Sequence, residues 1–238
     1  MNRLGVIAVL FFICFTAACA TTDTDENISG ARAHYKIGVA YLNDNKAQQA
    51  FLEFQKAYEY DPENKEVLHA IGIIYLMHFN DTPKAIEYFE KALRVDPNFS
   101  EVYNSLGEAN SKLGNFEKAI TYYKKAVSNV LYSTPDKPYI NMGYSYYRLG
   151  RYEEALYVYK EAIMRAPNLS LPYFRMALCY NKMGRYGEAA LAMTNAIKLD
   201  PYYRGDREKA LENINNRKLK ASGYEEEDIS DYLEILHY

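Results

Sequence analysis

The chain is short of the parts that chemistry needs. Its 238 residues hold three cysteines and four histidines. None of the histidines forms an HExxH, and Cys179 stands in no metal-ligand spacing, so no metal site is expected. There is no GxSxG elbow, no P-loop and no GxGxxG, which leaves no cofactor, no small-molecule substrate and no enzyme to expect. Positive charge is also scarce. A net charge of −3 with no broad basic run gives a nucleic-acid backbone nothing to hold. The one long apolar run, Leu4–Phe15, is too short to span a bilayer comfortably. Cysteine usage is equally spare. If Cys14 leaves with a leader and the Cys19 thiol is otherwise engaged, Cys179 is left alone and no internal disulfide is possible. Its apolar neighbours make it a small buried group.

What is present suits a folded chain: 49% hydrophobic and 25% charged residues. Twenty-five tyrosines are the anomaly. Part of that excess is periodic. Residues 35–62 read as two helices and a stop, with Gly38 and Tyr41 on the first helix and Ala50, Phe54 and Ala57 on the second. Asp61-Pro62 ends the unit, because proline cannot continue a helix and disfavours helical geometry in the residue before it. The skeleton returns at Gly72, Gly107, Gly143 and Ala177, in steps of 34, 35, 36 and 34 residues. Small residues at Gly38 and Ala50 let two helix backbones approach, and an aromatic at Phe54, Phe89 or Tyr123 fills the volume beside them. One such hairpin cannot bury its apolar face alone, and stacked copies can.

A period near 34 with this pattern resembles the tetratricopeptide repeat. The resemblance implies an all-α, right-handed solenoid of five helix-turn-helix repeats, at 31–64, 65–99, 100–135, 136–169 and 170–203, with capping helices over 204–238. In such arrays the first helix of each repeat lines a protein-binding groove. That outward face is Tyr35, Val39 and Leu42 in repeat one, Ile140, Tyr144, Tyr147 and Arg148 in repeat four, and Phe174, Arg175, Leu178 and Lys182 in repeat five. Aromatics beside arginines are what interfaces enrich, although the same rings could pack between repeats. Tyr35 and Val39 replace the Lys and Asn that clamp a C-terminal carboxylate in chaperone-binding members, which argues against a chaperone tail.

The ends carry further expectations. Arg3, the apolar run and Thr16-Ala17-Ala18-Cys19 resemble the signal peptide and lipobox of bacterial lipoproteins, with Thr16 where leucine is preferred. This implies cleavage after residue 18, lipid on Cys19 and, with Ala20 next, the periplasmic face of the outer membrane; ordinary secretion is the alternative. Residues 20–30 read as a small, polar, acidic tether. At the other end, 206–219 reads as a helix with a thin apolar stripe. Residues 225–238 then place Ile229, Tyr232, Leu233 and Leu236 on one face beside six acids and no Lys or Arg. This last segment either caps the apolar end of repeat five or is a motif offered to a partner.

The joint between repeats three and four is the least regular. Asn129–Pro138 carries two extra residues and two prolines, and Pro138 is tolerable in a first helical turn if Asp136 is the cap. The order of residues 101–155, with Asn-x-x-Gly, then Asn129-x-Leu131-Tyr132, a Thr-Pro loop and Tyr139-x-Asn141-x-Gly143, resembles the lipoproteins called pilotins of type IV pilus biogenesis. That implies a scaffold assisting assembly of the outer-membrane secretin, with a secretin subunit as partner and Tyr132, Tyr144, Tyr147, Arg148, Phe174 and Arg175 as candidate contacts. Adaptors for cell-wall hydrolases and the lipoprotein of the barrel-assembly machine share the architecture and remain open on these residues.

Overall fold

The computed structural model describes residues 26–129 and 132–238. Twelve helices and no strand occur among them, an all-α repeat fold. The contacts separate a first unit ending at Phe99 from a second beginning at Ser100. Cys19 and the lipobox, together with Val130 and Leu131 of the irregular joint, lie outside the described residues.

The first unit holds α1 (26–43), α2 (Ala47–Tyr60), α3 (Lys65–Met77) and α4 (Thr82–Val95). Helix starts follow local capping chemistry. Asn64 accepts from the Val67 N–H at 3.1 Å and Asp81 from the Lys84 N–H at 3.0 Å. The Asp-Pro stops work as read from the sequence: the N–H groups of Asp61 and Asp96 close the last turns on Ala57 and Ala92, and the prolines follow. The glycine on each first helix is filled by an aromatic ring. A Cβ added at Gly38 would lie 2.5 Å from Cε1 of Phe54, and Gly72 meets Phe89 in the same way. A further period escaped the sequence reading. The residue in the left-handed region between paired helices is Asn45, Asn80, Gly114, Gly150 and Gly184 in turn, all asparagine or glycine, which tolerate positive φ.

Residues 26–30, assigned to a flexible tether, are the first described turns of α1. Their polar composition is overruled by tertiary contact. Ala31 is fully buried, the Gly30 backbone lies against the Tyr60 ring, and His34 stacks on that ring at 5.6 Å between centroids.

The second unit holds α5 (Ser100–Lys112), α6 (Phe116–Ser128), α7 (Asp136–Arg148), α8 (Tyr152–Arg165), α9 (Ser170–Lys182) and α10 (Tyr186–Leu199), three more paired hairpins. Then come α11 (Arg207–Lys218), capped by Asp206 on the Lys209 N–H at 2.9 Å, and α12 (Tyr224–Ile235). Asp136 is not the cap of α7. Pro135 holds that position, and Asp136 and Pro138 both lie inside the first turn, where the missing N–H of Pro138 breaks no helical bond. Gly107 and Gly143 meet the buried rings of Tyr123 and Tyr159. Gly143→Leu is therefore expected to cost about 1–3 kcal/mol by overpacking against Tyr159, read as a lower urea midpoint with unchanged slope. A midpoint equal to the parent's would show that this crossing has spare room.

Candidate partner-binding face

The first helices of repeats four and five, α7 and α9, present the residues that the sequence singled out, and the face they form is covered. The last segment, read as a cap on repeat five or a motif offered to a partner, forms α12 and lies against both helices of that repeat. α12 packs most closely on α11 and also lies against α9 and α10. Gly223, at φ 59°, turns the chain into it. Its apolar stripe is buried, with Ile229 1%, Ile235 0% and Leu236 5% exposed, so part of its seating is ordinary core formation.

The edge of that buried stripe supplies carboxylates to the cations of α7 and α9. Asp228 accepts from Arg148 Nη2 at 2.5 Å and from Arg175 Nη1 at 2.7 Å. Asp231 takes Lys182 Nζ at 2.7 Å, and the Tyr147 hydroxyl donates to it at 3.3 Å. Arg148 also donates to Glu227 at 3.2 Å and to the Tyr224 carbonyl at 2.8 Å. Asn181 donates to Glu234 at 3.1 Å and the Tyr238 hydroxyl to Asn181 at 2.9 Å. The Asp228 and Arg148 side chains are each about 95% buried. Burial pushes the Asp228 carboxyl above its ordinary range, against the pull of the two guanidinium groups.

Aromatic rings frame these ion pairs. The Arg148 guanidinium lies 4.9 Å from the Tyr144 ring centre, 5.1 Å from Tyr147 and 4.4 Å from Tyr224. Arg175 sits 4.5 Å from the Tyr144 ring. Phe174 meets Tyr203 and Tyr232 edge-on at 6.3 and 5.8 Å. Five of the six candidate contacts, Tyr144, Tyr147, Arg148, Phe174 and Arg175, are thus brought together. Tyr132 is not among them. It lies in the segment before α7, 8% exposed, with its N–H on the Asn129 carbonyl at 3.1 Å. Of the other residues read as facing outward, Ile140 and Leu178 are core. Cys179 is fully buried, and burial pushes its thiol up to about 12.

The residues that sequence reasoning missed are the α12 partners, Asp228 and Asp231 above all. Their signal was present. Three cations, Arg148, Arg175 and Lys182, lie on one predicted face, and an amphipathic segment carries six acids without a base.

Beside α12 the face continues onto α5. Asn104 and Asn141 donate to Glu108 Oε1 at 2.8 and 2.9 Å, and burial raises the Glu108 carboxyl despite both bonds. No described helix is long and apolar enough to cross a membrane.

Family comparison agrees with this architecture. Two profiles, each described as tetratricopeptide repeat, match the chain, one over residues 99–168 and the other over 31–64, 66–99 and 172–203. No curated protein sequence matches it. Among solved structures the fold is similar to PilF of Pseudomonas aeruginosa, with TM-score 0.69 and 19% identity over 87% of this chain and 90% of that one. It is similar to PilW, described as a widely conserved type IV pilus biogenesis factor, with TM-score 0.68 and 19% identity over 87% and 98% of the two chains. A MamA protein matches with TM-score 0.60 and 23% identity over 82% and 96%.

Proposed function

The chain is a tetratricopeptide-repeat protein, an all-α scaffold for protein–protein interaction, and from that premise we propose that it assists assembly of an outer-membrane secretin in type IV pilus biogenesis. The observation that carries this reading is the fold likeness to PilW over 98% of that chain, together with the pattern of Asn129–Gly143. The lipid is attached at Cys19, and the protein works at the periplasmic face of the outer membrane. Attachment at Cys19 confines the protein and its partner to one membrane surface, which favours ring assembly without any chemistry. On this reading a secretin segment docks on the face of α7 and α9, beside the joint that carries Tyr132.

In a deletion strain, denaturant-resistant secretin multimers are expected to fall while secretin monomer persists. Normal multimers in that strain would contradict the proposal. The anchor is tested separately. Cys19→Ser should abolish fatty-acid labelling and move the protein to the soluble fraction, since each buried acyl methylene contributes about 0.8 kcal/mol to membrane binding. A variant that stays with the membranes would show that something else anchors it.

A further inference from the structure

We propose that the face formed by α7 and α9 is a receptor for an acidic amphipathic helix of a partner protein, and that α12 is its resident occupant, which the partner's helix displaces. This holds whether or not the partner belongs to a pilus.

The chemistry of the occupant defines the chemistry of the ligand. α12 offers two carboxylates three residues apart, Asp228 and Asp231, to three cations on two different repeats. Between and after them it offers Ile229, Tyr232, Leu233 and Leu236 as an apolar stripe. Charged pairs of this kind set register and partner choice more than they stabilise, because desolvating each ion offsets most of the attraction. The face supplies what protein interfaces use for capture: Arg148 against the Tyr144 and Tyr147 rings, Arg175 against Tyr144, and Phe174 beside them.

Two features show that α12 fits this face incompletely. An open cavity of about 520 Å³ remains alongside it, bordered by Ser170, Phe174, Asp200, Ile214, Ile229 and Tyr232. Arg148 Nε is buried with no hydrogen-bond partner among the described residues, although the two Nη atoms of the same guanidinium are engaged. A helix with a longer apolar side chain over the cavity and a carboxylate placed on Nε would improve on the resident in both respects. α12 is joined to α11 through the short segment 219–223, in which Leu219 is 85% exposed.

The test uses the full chain and a labelled synthetic peptide of residues 221–238. Wild-type protein should bind it weakly, because its own α12 competes at high effective concentration. The full-length D228N/D231N variant, in which the resident loses its charges, should bind the wild-type peptide at least tenfold more tightly. Adding Arg175→Gln to that variant should cancel the gain, and a scrambled peptide of the same composition should not bind. Equal affinity for wild type and variant, or equal binding of the scrambled peptide, would overturn the proposal. Hydrogen exchange on the wild-type chain gives a second reading that needs no variant to fold. The amides of α12 should exchange through an opening at least tenfold more populated than that of α9. Amides of α12 protected as long as those of α9 would make it a fixed part of the core and defeat the inference.

Discussion

Tyr147→Ala is expected to lower the unfolding free energy of the chain by about 3–5 kcal/mol, the usual cost of deleting a large buried aromatic ring. The sequence placed Tyr147 on an outward face, where truncation would have left stability nearly unchanged. In the structure its ring is 5% exposed and packs 5.7 Å from Tyr152 on the following helix. It also supports the Arg148 guanidinium at 5.1 Å and donates its hydroxyl to Asp231. Truncation therefore opens a cavity, removes one wall of the arginine stack and leaves Asp231 with fewer donors. Tyr147→Phe keeps the ring and loses one hydrogen bond, so it should cost only about 0.5–1.5 kcal/mol. Urea unfolding of the three proteins separates these terms. A loss below about 1 kcal/mol for the alanine variant would show that the ring is not held as described.

The second large effect is a pH dependence seated in the first unit. The His69 ring lies between Phe89 and Phe99, with centroids at 5.7 and 5.5 Å, and burial holds its pKa down to about 4. In the unfolded chain an imidazole titrates near 6.5. Between those values the unfolded state binds the extra proton, so stability falls as the pH is lowered from about 6.5 through 4. The gap corresponds to at most about 3 kcal/mol. Asp96 acts with the same sign but at lower pH. Lys65 and the Asn98 N–H hold its carboxyl below the usual range, and that contribution is lost as the carboxylate protonates. His69→Gln should flatten the dependence between pH 6.5 and 4 and leave the loss at lower pH in place. An unchanged slope would mean that His69 takes up its proton as readily in the folded chain as in the unfolded one.

The repeat architecture was legible because it rests on short-range rules that recur along the chain. Gly38, Gly72, Gly107 and Gly143 announce a close helix crossing, Phe54, Phe89, Tyr123 and Tyr159 fill it, and Asp-Pro or Ala-Pro ends every unit but the third. These signals need no knowledge of the rest of the chain. The first helix was misjudged at residues 26–30 because its reason to be ordered is Tyr60, thirty residues away in sequence from Gly30. The candidate face was half legible. Helical spacing identified Tyr144, Tyr147, Arg148, Phe174 and Arg175, and the structure brings them together. What covers them was not legible, since the pairing of Asp228 with Arg148 and Arg175 spans 80 and 53 residues. Periodicity shows which residues share a face. It does not show which distant face they meet. Charge was the missing guide, because an acidic helix with no base and a face with three cations are complementary before any coordinates are known.

The claim on which the rest depends is that α12 lies against α7 and α9 in the free protein. Zero-length carbodiimide crosslinking tests it most directly, because that reagent joins an amine to a carboxylate only where the two are already in contact. Lys182 Nζ lies 2.7 Å from Asp231, and Lys65 Nζ lies 2.5 Å from Asp96 in the first unit, which serves as an internal control. The account predicts a Lys182–Asp231 link within one chain, at a yield that does not change on dilution and that falls when an excess of the 221–238 peptide is present. A sample in which Lys65 and Asp96 are joined while Lys182 and Asp231 are not would contradict it.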